Sequence, residues 1–413
     1  MNLRKAALLA AYLVFPLSTL VFLVAYIKPY PVWETWTFID VWAQFARGEG
    51  WLRSLFVTRW GHIHALPNFI TLLVGSVSCH SQMPEAIASW AMALAALFVI
   101  ARQLPPQVLI ALGVSSALFT VRLAEVWLNS WNLMWSLSLM QAALIGTCLT
   151  RPSWRSLGLA AGIGATSILT AGQGVAIVAA GTVPLLMHAL RDRRAVPLVL
   201  VWVAFVIGCV VSFALLSGSG ARAGAAQLIS FDAKNVLALL AYALGEGESY
   251  LLAFVIVASL CIGYALRGFS LSQLTKADLF WVYMGSLLLC FVLLLTLTRP
   301  GHLLARYLTL LWIAPTVVVY FMYRSSEGKP AARAVVLAVC VGWVALNGWN
   351  GYAFGLLVDG WEPLSRDLVA LSKSDPLRVQ AEMLKGVSSN DVPLMARGLT
   401  TMRELSVNIY CAR

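Results

Sequence analysis

Apolar runs of bilayer length recur along nearly the whole chain, and no other feature limits its fold so tightly. A hydrocarbon core about 30 Å thick takes about 20 helical residues to cross. Inside it, backbone N–H and C=O groups have no water to bond, and an open strand edge cannot face lipid. The chain must therefore satisfy its backbone within helices. Composition agrees: 60% of the 413 residues are hydrophobic and only 11% are charged, too few to cover a soluble protein of this size. The expectation is an all-α, polytopic membrane protein.

The first run, 6–27, follows Arg4 and Lys5 and has no small-x-small cleavage site before Lys28, so it reads as an uncleaved first helix. Further spans are expected at 84–102, 106–122, 130–149, 156–172, 174–190, 195–217, 250–266, 278–298, 307–323 and 333–353, about eleven transmembrane helices in all. The short apolar stretch 234–245 is assigned to an interfacial or re-entrant helix. With the N-terminus in the cytoplasm, Arg4, Lys5, Arg102, Arg151, Arg155, Arg191, Arg193, Arg194, Arg267, Lys276, Arg324, Lys329 and Arg333 all fall on the inner side. The net charge of +11 thus reflects topology and gives no support to a nucleic-acid partner. No internal repeat is evident, which weakens a transporter built from inverted halves.

Two segments are expected outside. One is the loop 28–83, within a transmembrane domain covering 1–359. The other is a small external C-terminal tail, 360–413, holding 13 of the chain's 47 charged residues in 54 positions. It is too short for a core of its own and is expected to pack on the outer face. Of seven cysteines no pair has C-x-x-C spacing, and Cys148, Cys209, Cys261, Cys290 and Cys340 lie in or beside apolar runs. Cys79 and Cys411 both fall outside, where oxidation is permitted, and a disulfide between them would tether the tail.

The loop 28–83 is the informative one. It contains Trp33-Glu34-Thr35-Trp36, Asp40, Arg47, Arg59 and Gly61-His62-Ile63-His64-Ala65-Leu66-Pro67. Five Trp fall between Trp33 and Trp60, and their default role is anchoring at lipid headgroups. Glu34 leaves the first helix close to the membrane surface, where a carboxylate can take a proton from an incoming hydroxyl. Asp40 lies on a helix expected from near Trp36, where an ion pair with Arg47 is the simpler role. His62 and His64, two apart, would point the same way in an extended stretch, but two ligands do not make a metal site. Substrate contact or packing suits them better.

Near the outer face, Thr298-Arg299-Pro300-Gly301-His302 and Arg306-Tyr307 run against the positive-inside trend. Such residues bind lipid headgroups or the phosphate of a lipid-linked substrate. Gln173, between Gly172 and Gly174, reads as a tight external turn. Asn129, Asn132 and Gln141, in or beside a span, read as interhelical hydrogen-bonding residues.

This layout resembles the GT-C class of integral-membrane glycosyltransferases, bacterial type. The resemblance rests on Trp33-Glu34-Thr35-Trp36, then Ala46-Arg47-Gly48-Glu49-Gly50-Trp51, then Gly61-His62-Ile63-His64-Ala65-Leu66-Pro67, with Leu66–Val77 as a second surface helix. The stretch from Arg299 to Tyr307 is similar to the basic external turn of some members. Where many members have an acidic pair, this chain has a single Glu34 after Trp33, which leaves Asp40 as the alternative base. The resemblance implies a sugar donor on a polyprenyl phosphate and transfer with inversion to an acceptor hydroxyl of unidentified glycan, lipid or protein. It places the chain in a bacterial inner membrane, N-terminus cytoplasmic and C-terminus external, making cell-envelope glycan. Glu34 or Asp40 would be catalytic, and Arg59, His62, His64, Gln173, Arg299, His302, Arg306 and Tyr307 would contact substrate. No cofactor is indicated, and a requirement for a divalent cation is left open. A glycan polymerase or ligase is a second reading, although its large external loop usually falls late. A lipid or glycan flippase is a third, but it expects charge deep in the spans, which are nearly free of it here.

Overall fold

The structure is a computed structural model that describes residues 3–27, 31, 33–56, 63–216, 273–298, 308–359, 367, 369–371, 373–374 and 392–411. Among these every regular element is helical and there is no strand. The helices are α1 (Leu3–Tyr26), α2 (Ile39–Arg47), α3 (Trp51–Leu55), α4 (Ala65–Ser78), α5 (Gln82–Ala101), α6 (Val108–Leu118), α7 (Ala124–Trp127), α8 (Leu133–Leu149), α9 (Trp154–Ile168), α10 (Gln173–Ala180), α11 (Thr182–Arg191), α12 (Val196–Leu216), α13 (Lys276–Thr298), α14 (Leu308–Leu311), α15 (Ile313–Ser325), α16 (Pro330–Asp359) and α17 (Val392–Glu404). A 3₁₀ turn, Trp33–Phe38, runs directly into α2.

Six helical stretches among the described residues are long and apolar enough to cross a membrane: Leu3–Tyr26, Gln82–Ala101, Gln173–Arg191, Arg193–Leu216, Lys276–Leu295 and Pro330–Trp349. The protein is thus a helical, multi-pass membrane protein in character. The expected span at 250–266 and the stretch 234–245 lie outside the described residues. Several other expected spans form helices shorter than a crossing: α6 has 11 residues, α9 15 and α8 17.

The run at 106–122 shows why. Helix α6 stops at Leu118 because side chains from elsewhere satisfy the carbonyls beyond it. The Thr19 hydroxyl donates to Phe119 O at 2.8 Å, and the Trp127 indole donates to Thr120 O at 3.0 Å. The chain then folds into turns at Val121–Leu123 and Ser130–Asn132 around α7. Irregular backbone is tolerated at such depth when protein encloses it, as here.

Packing follows the residues each helix buries. Along α5, Gln82, Glu85, Ala86, Ser89, Ala93, Ala96, Leu97 and Ile100 recur every three or four positions and face α8 and its neighbours. Small residues there let the backbones approach closely. Helix α6 lies among α1, α15 and α16, and α10 lies between α9 and α13. Interhelical hydrogen bonds fix α1: Ser115 donates to Ala11 O at 2.9 Å and Trp90 donates to Pro16 O at 2.9 Å. At the margin, α12 leaves Leu200, Ile207 and Leu215 exposed, as a lipid-facing helix does.

The basic connectors gather at one end. Arg4 donates to Pro106 O at 3.3 Å, Trp281 to Gln103 O at 2.9 Å, and Arg191 to Leu274 O at 3.2 Å. Gln107 donates to the Tyr323 hydroxyl at 3.2 Å, and the Arg333 guanidinium sits 4.8 Å from the centre of the Tyr323 ring. Asp278 is the buried charge of this end. Thr275 N and its hydroxyl donate to Oδ2 at 2.7 and 2.9 Å, while Tyr320 OH and Arg324 Nε donate to Oδ1 at 2.8 and 3.3 Å. The Thr275 hydroxyl in turn accepts from Asp278 N at 3.2 Å, so the pair caps α13 and joins it to α15.

Candidate functional site at the end opposite the basic connectors

Residues 33–56, 63–80 and 392–411 and the turns flanking α7 meet at the other end of the bundle. Proline opens this region, since Pro29 and Pro31 disfavour continuing α1. The backbone of Glu34 lies in the 3₁₀ turn that follows. Its neighbour Thr35 is buried, and the Thr35 hydroxyl donates to Asn129 Oδ1 at 2.7 Å. The same Oδ1 accepts from Trp131 N at 3.1 Å, which orients the amide. Trp131 then bridges two parts of the loop, with ring centres 5.9 Å from Phe38 and 5.1 Å from His64.

His64 is buried, and its Nδ1 lies 3.2 Å from Thr170 O, so Nδ1 carries the proton. Two residues on, Leu66 N donates to Leu169 O at 3.0 Å, tying the start of α4 to the α9–α10 turn. Gln141 Nε2 donates to the Thr166 and Thr170 hydroxyls at 3.1 and 3.0 Å. These bonds bear out the reading of Gln141 as an interhelical link. Gln173 follows the α9–α10 turn as the first residue of α10, is buried, and donates to the Ser138 hydroxyl at 3.1 Å. A polar side chain this deep must find a partner, and Ser138 on α8 supplies it. Glu85, Gln82 and Asn132 are also fully buried, near the Ser89–Ser136 hydroxyl pair at 2.9 Å. In the sequence the only sign of Glu85 is that it is a carboxylate at the start of an apolar run.

The outer-loop helices differ in role. Helix α2 ends at Gly48, where a left-handed φ of 70° lets the backbone turn back on Gln44 and Phe45. Asp40 is exposed in the first turn of α2, favourable to the helix dipole. Arg47 reaches Glu404 of the tail at 3.5 Å instead of Asp40, which lies two turns away. The expected second surface helix is α4. It buries Ala65, Asn68, Leu72 and Gly75, and exposes Phe69, Leu73 and Val77 at every fourth position. An apolar exposed stripe on a helix too short to cross suits a helix lying in the interface.

The expectation that the Trp residues anchor in headgroups fails for two of them. Trp36 and Trp42 are 0% and 1% exposed. Trp42 stacks on His80, ring centres 4.6 Å apart, and α17 lies over Trp36. Their large apolar rings fill the space between the loop and the tail, where burial is worth more than a place at the water boundary. Burial pushes His80 down to about 4, so the ring is neutral at neutral pH. Arg59, His62, Arg299, His302, Arg306 and Tyr307 lie outside the described residues, as does the side chain of Glu34. Among the described residues no three His, Cys, Asp or Glu side chains come together as a metal site.

Cys79 and Cys411 are joined in a disulfide, with Cα atoms 6.4 Å apart across 332 residues of sequence. A membrane-impermeant maleimide applied to intact cells should label neither cysteine until a reductant is added, and then both. Labelling of either before reduction would deny the bond. Cys148, Cys209, Cys290 and Cys340 are free and belong to the apolar packing.

Compared with protein-family models, with curated proteins and with solved structures, the chain has no match. Its function has to be argued from its own chemistry.

Proposed function

We propose that the protein is a membrane glycosyltransferase that moves a sugar from a polyprenyl-phosphate donor to an acceptor hydroxyl at the external face, with inversion. The observation that supports this most is the Glu34 turn. It follows α1 in the chain and is pinned through Thr35 to Asn129, whose neighbour Trp131 packs on the buried His64, at the bundle end opposite the basic connectors. In this reading the Glu34 carboxylate takes the acceptor's proton as its oxygen attacks the anomeric carbon. The bond from that carbon to the phosphate oxygen breaks, and the electron pair leaves with the polyprenyl phosphate. Arg299 and Arg306 would stabilise the charge on that phosphate. Asp40 is the alternative base.

Two chemical features support the orientation. Lys and Arg collect at one end, as they do on cytoplasmic sides, and the disulfide lies at the other, which needs an oxidising compartment. Reporter fusions in the α15–α16 turn at Gly328 and after residue 413 should therefore report opposite sides of the membrane. The same side for both would overturn the topology.

The activity itself is tested with the purified chain in proteoliposomes and a panel of labelled pentosyl and hexosyl polyprenyl phosphates. Release of polyprenyl phosphate from at least one donor is expected, with the sugar passing to water or to an added acceptor alcohol. No release and no binding across the panel, in protein shown to be folded, would remove the reading.

A further inference from the structure

Among the described residues, four without the freedom of glycine have left-handed backbone: Cys79 (φ 55°), His80 (φ 54°), Ser406 (φ 52°) and Asn408 (φ 56°). All four meet at one place. The first two form the turn after α4, and the last two lie just after α17. Left-handed backbone is strained in a residue that carries a Cβ and persists only where the surroundings over-determine it.

The surroundings here do so. The disulfide joins Cys79 to Cys411, Asn408 N donates to Cys79 O at 2.7 Å, and Asn408 Nδ2 donates to His80 O at 2.6 Å. On one side of this clasp His80 stacks on Trp42 of α2. On the other, α17 lies across α2 and the Trp33–Phe38 turn, burying Met395, Leu399 and Met402. The approach is close at Gly398, where a Cβ would stand 2.8 Å from Ile39 Cδ1 and 2.9 Å from Trp36 Cε3. Only glycine lets the helix lie so near the tryptophan two residues after Glu34. The Arg47–Glu404 pair adds little, both side chains being about half exposed.

We propose that the C-terminal segment is a disulfide-latched clamp that positions the turn bearing Glu34 and is not merely a tethered tail. Its consequence for catalysis rests on the reading of Glu34 given above, whereas the clamping itself does not. When a dithiol reductant is oxidised in exchange for thiols at Cys79 and Cys411, the strained clasp loses the covalent bond that over-determines it. The turn is then free to open locally.

The test is hydrogen–deuterium exchange of the full chain in lipid nanodiscs. After reduction, or in Cys411→Ser, amides in 35–47 should exchange at least about tenfold faster, while those of α5 and α8 keep their rates. Reoxidation should restore the wild-type pattern, which a general loss of folding would not allow. Gly398→Leu, with the disulfide intact, should produce the same local acceleration by lifting α17 from Trp36. Asn408→Ala gives a milder version should the leucine variant fail to fold. Unchanged exchange in 35–47 after both thiols are counted as free would overturn the proposal. So would equal acceleration throughout α5 and α8. Exchange needs no donor, so this outcome is independent of whether Glu34 proves to be a base.

Discussion

If the proposed transfer holds, Glu34→Gln is expected to insert normally, to bind the donor, and to transfer sugar about 10²–10⁴-fold more slowly than the wild type. The substitution preserves shape and hydrogen-bonding capacity while removing basicity, so the loss falls on the step in which a proton is taken. The turn's hold on the bundle runs through the Thr35–Asn129 bond and the buried Trp36, which the variant leaves untouched. A fall in the catalytic rate with unchanged donor affinity is therefore the expected signature. Asp40→Asn is the control: Asp40 is exposed on α2, and the salt bridge of this helix joins Arg47 to Glu404. It should change rate and stability little. Measured initial rates in proteoliposomes decide the matter. A fully active Glu34→Gln, or an Asp40→Asn that alone is dead, moves the base to Asp40 or discards the mechanism.

Asp278→Ala is expected to destabilise the helical bundle by about 3 kcal/mol without disturbing the Thr35–Asn129 bond at its other end. The carboxylate is 1% exposed and accepts from Thr275, Tyr320 and Arg324. Its removal uncaps α13 and leaves the buried Tyr320 hydroxyl without its acceptor. Removing one partner of a wholly buried ion pair costs about 3–5 kcal/mol. The Arg324 side chain is 29% exposed and also pairs with Glu327, so the lower end of that range applies. Tyr320→Phe should cost less, and the double variant less than the sum, because both act on one network. Equilibrium unfolding in mixed micelles measures each value. Additive losses from the two single changes would mean that the bond between Tyr320 and Asp278 contributes nothing.

Part of this molecule was legible because hydropathy reports environment one residue at a time. Each expected span within the described residues falls on helix, and the surface helix expected at Leu66–Val77 is α4. What hydropathy could not report is whether a run stays helical along its whole length. That depends on side chains such as Thr19 and Trp127, which arrive from elsewhere to satisfy Phe119 and Thr120 carbonyls. The same blindness placed Trp36 and Trp42 at the lipid boundary, since an amphipathic ring suits either an interface or a seam between two elements. The site was legible only in outline. His64 and Gln173 stood out by residue type, but Asn129 as the partner of Thr35 did not, because 94 residues separate them.

By itself the sequence determined the class of the protein, the helical state of its backbone, the end at which its basic residues gather and the cysteine pair free to oxidise. Each is a property of single residues or short runs answering to lipid, water or redox compartment. Tertiary structure alone decided which polar groups meet: Thr35 with Asn129, Arg47 with Glu404, Asp278 with Tyr320 and Arg324, and α17 upon Trp36. Those pairings join distant parts of the chain through packing at ångström scale, where one missing Cβ at Gly398 sets how near two helices can lie.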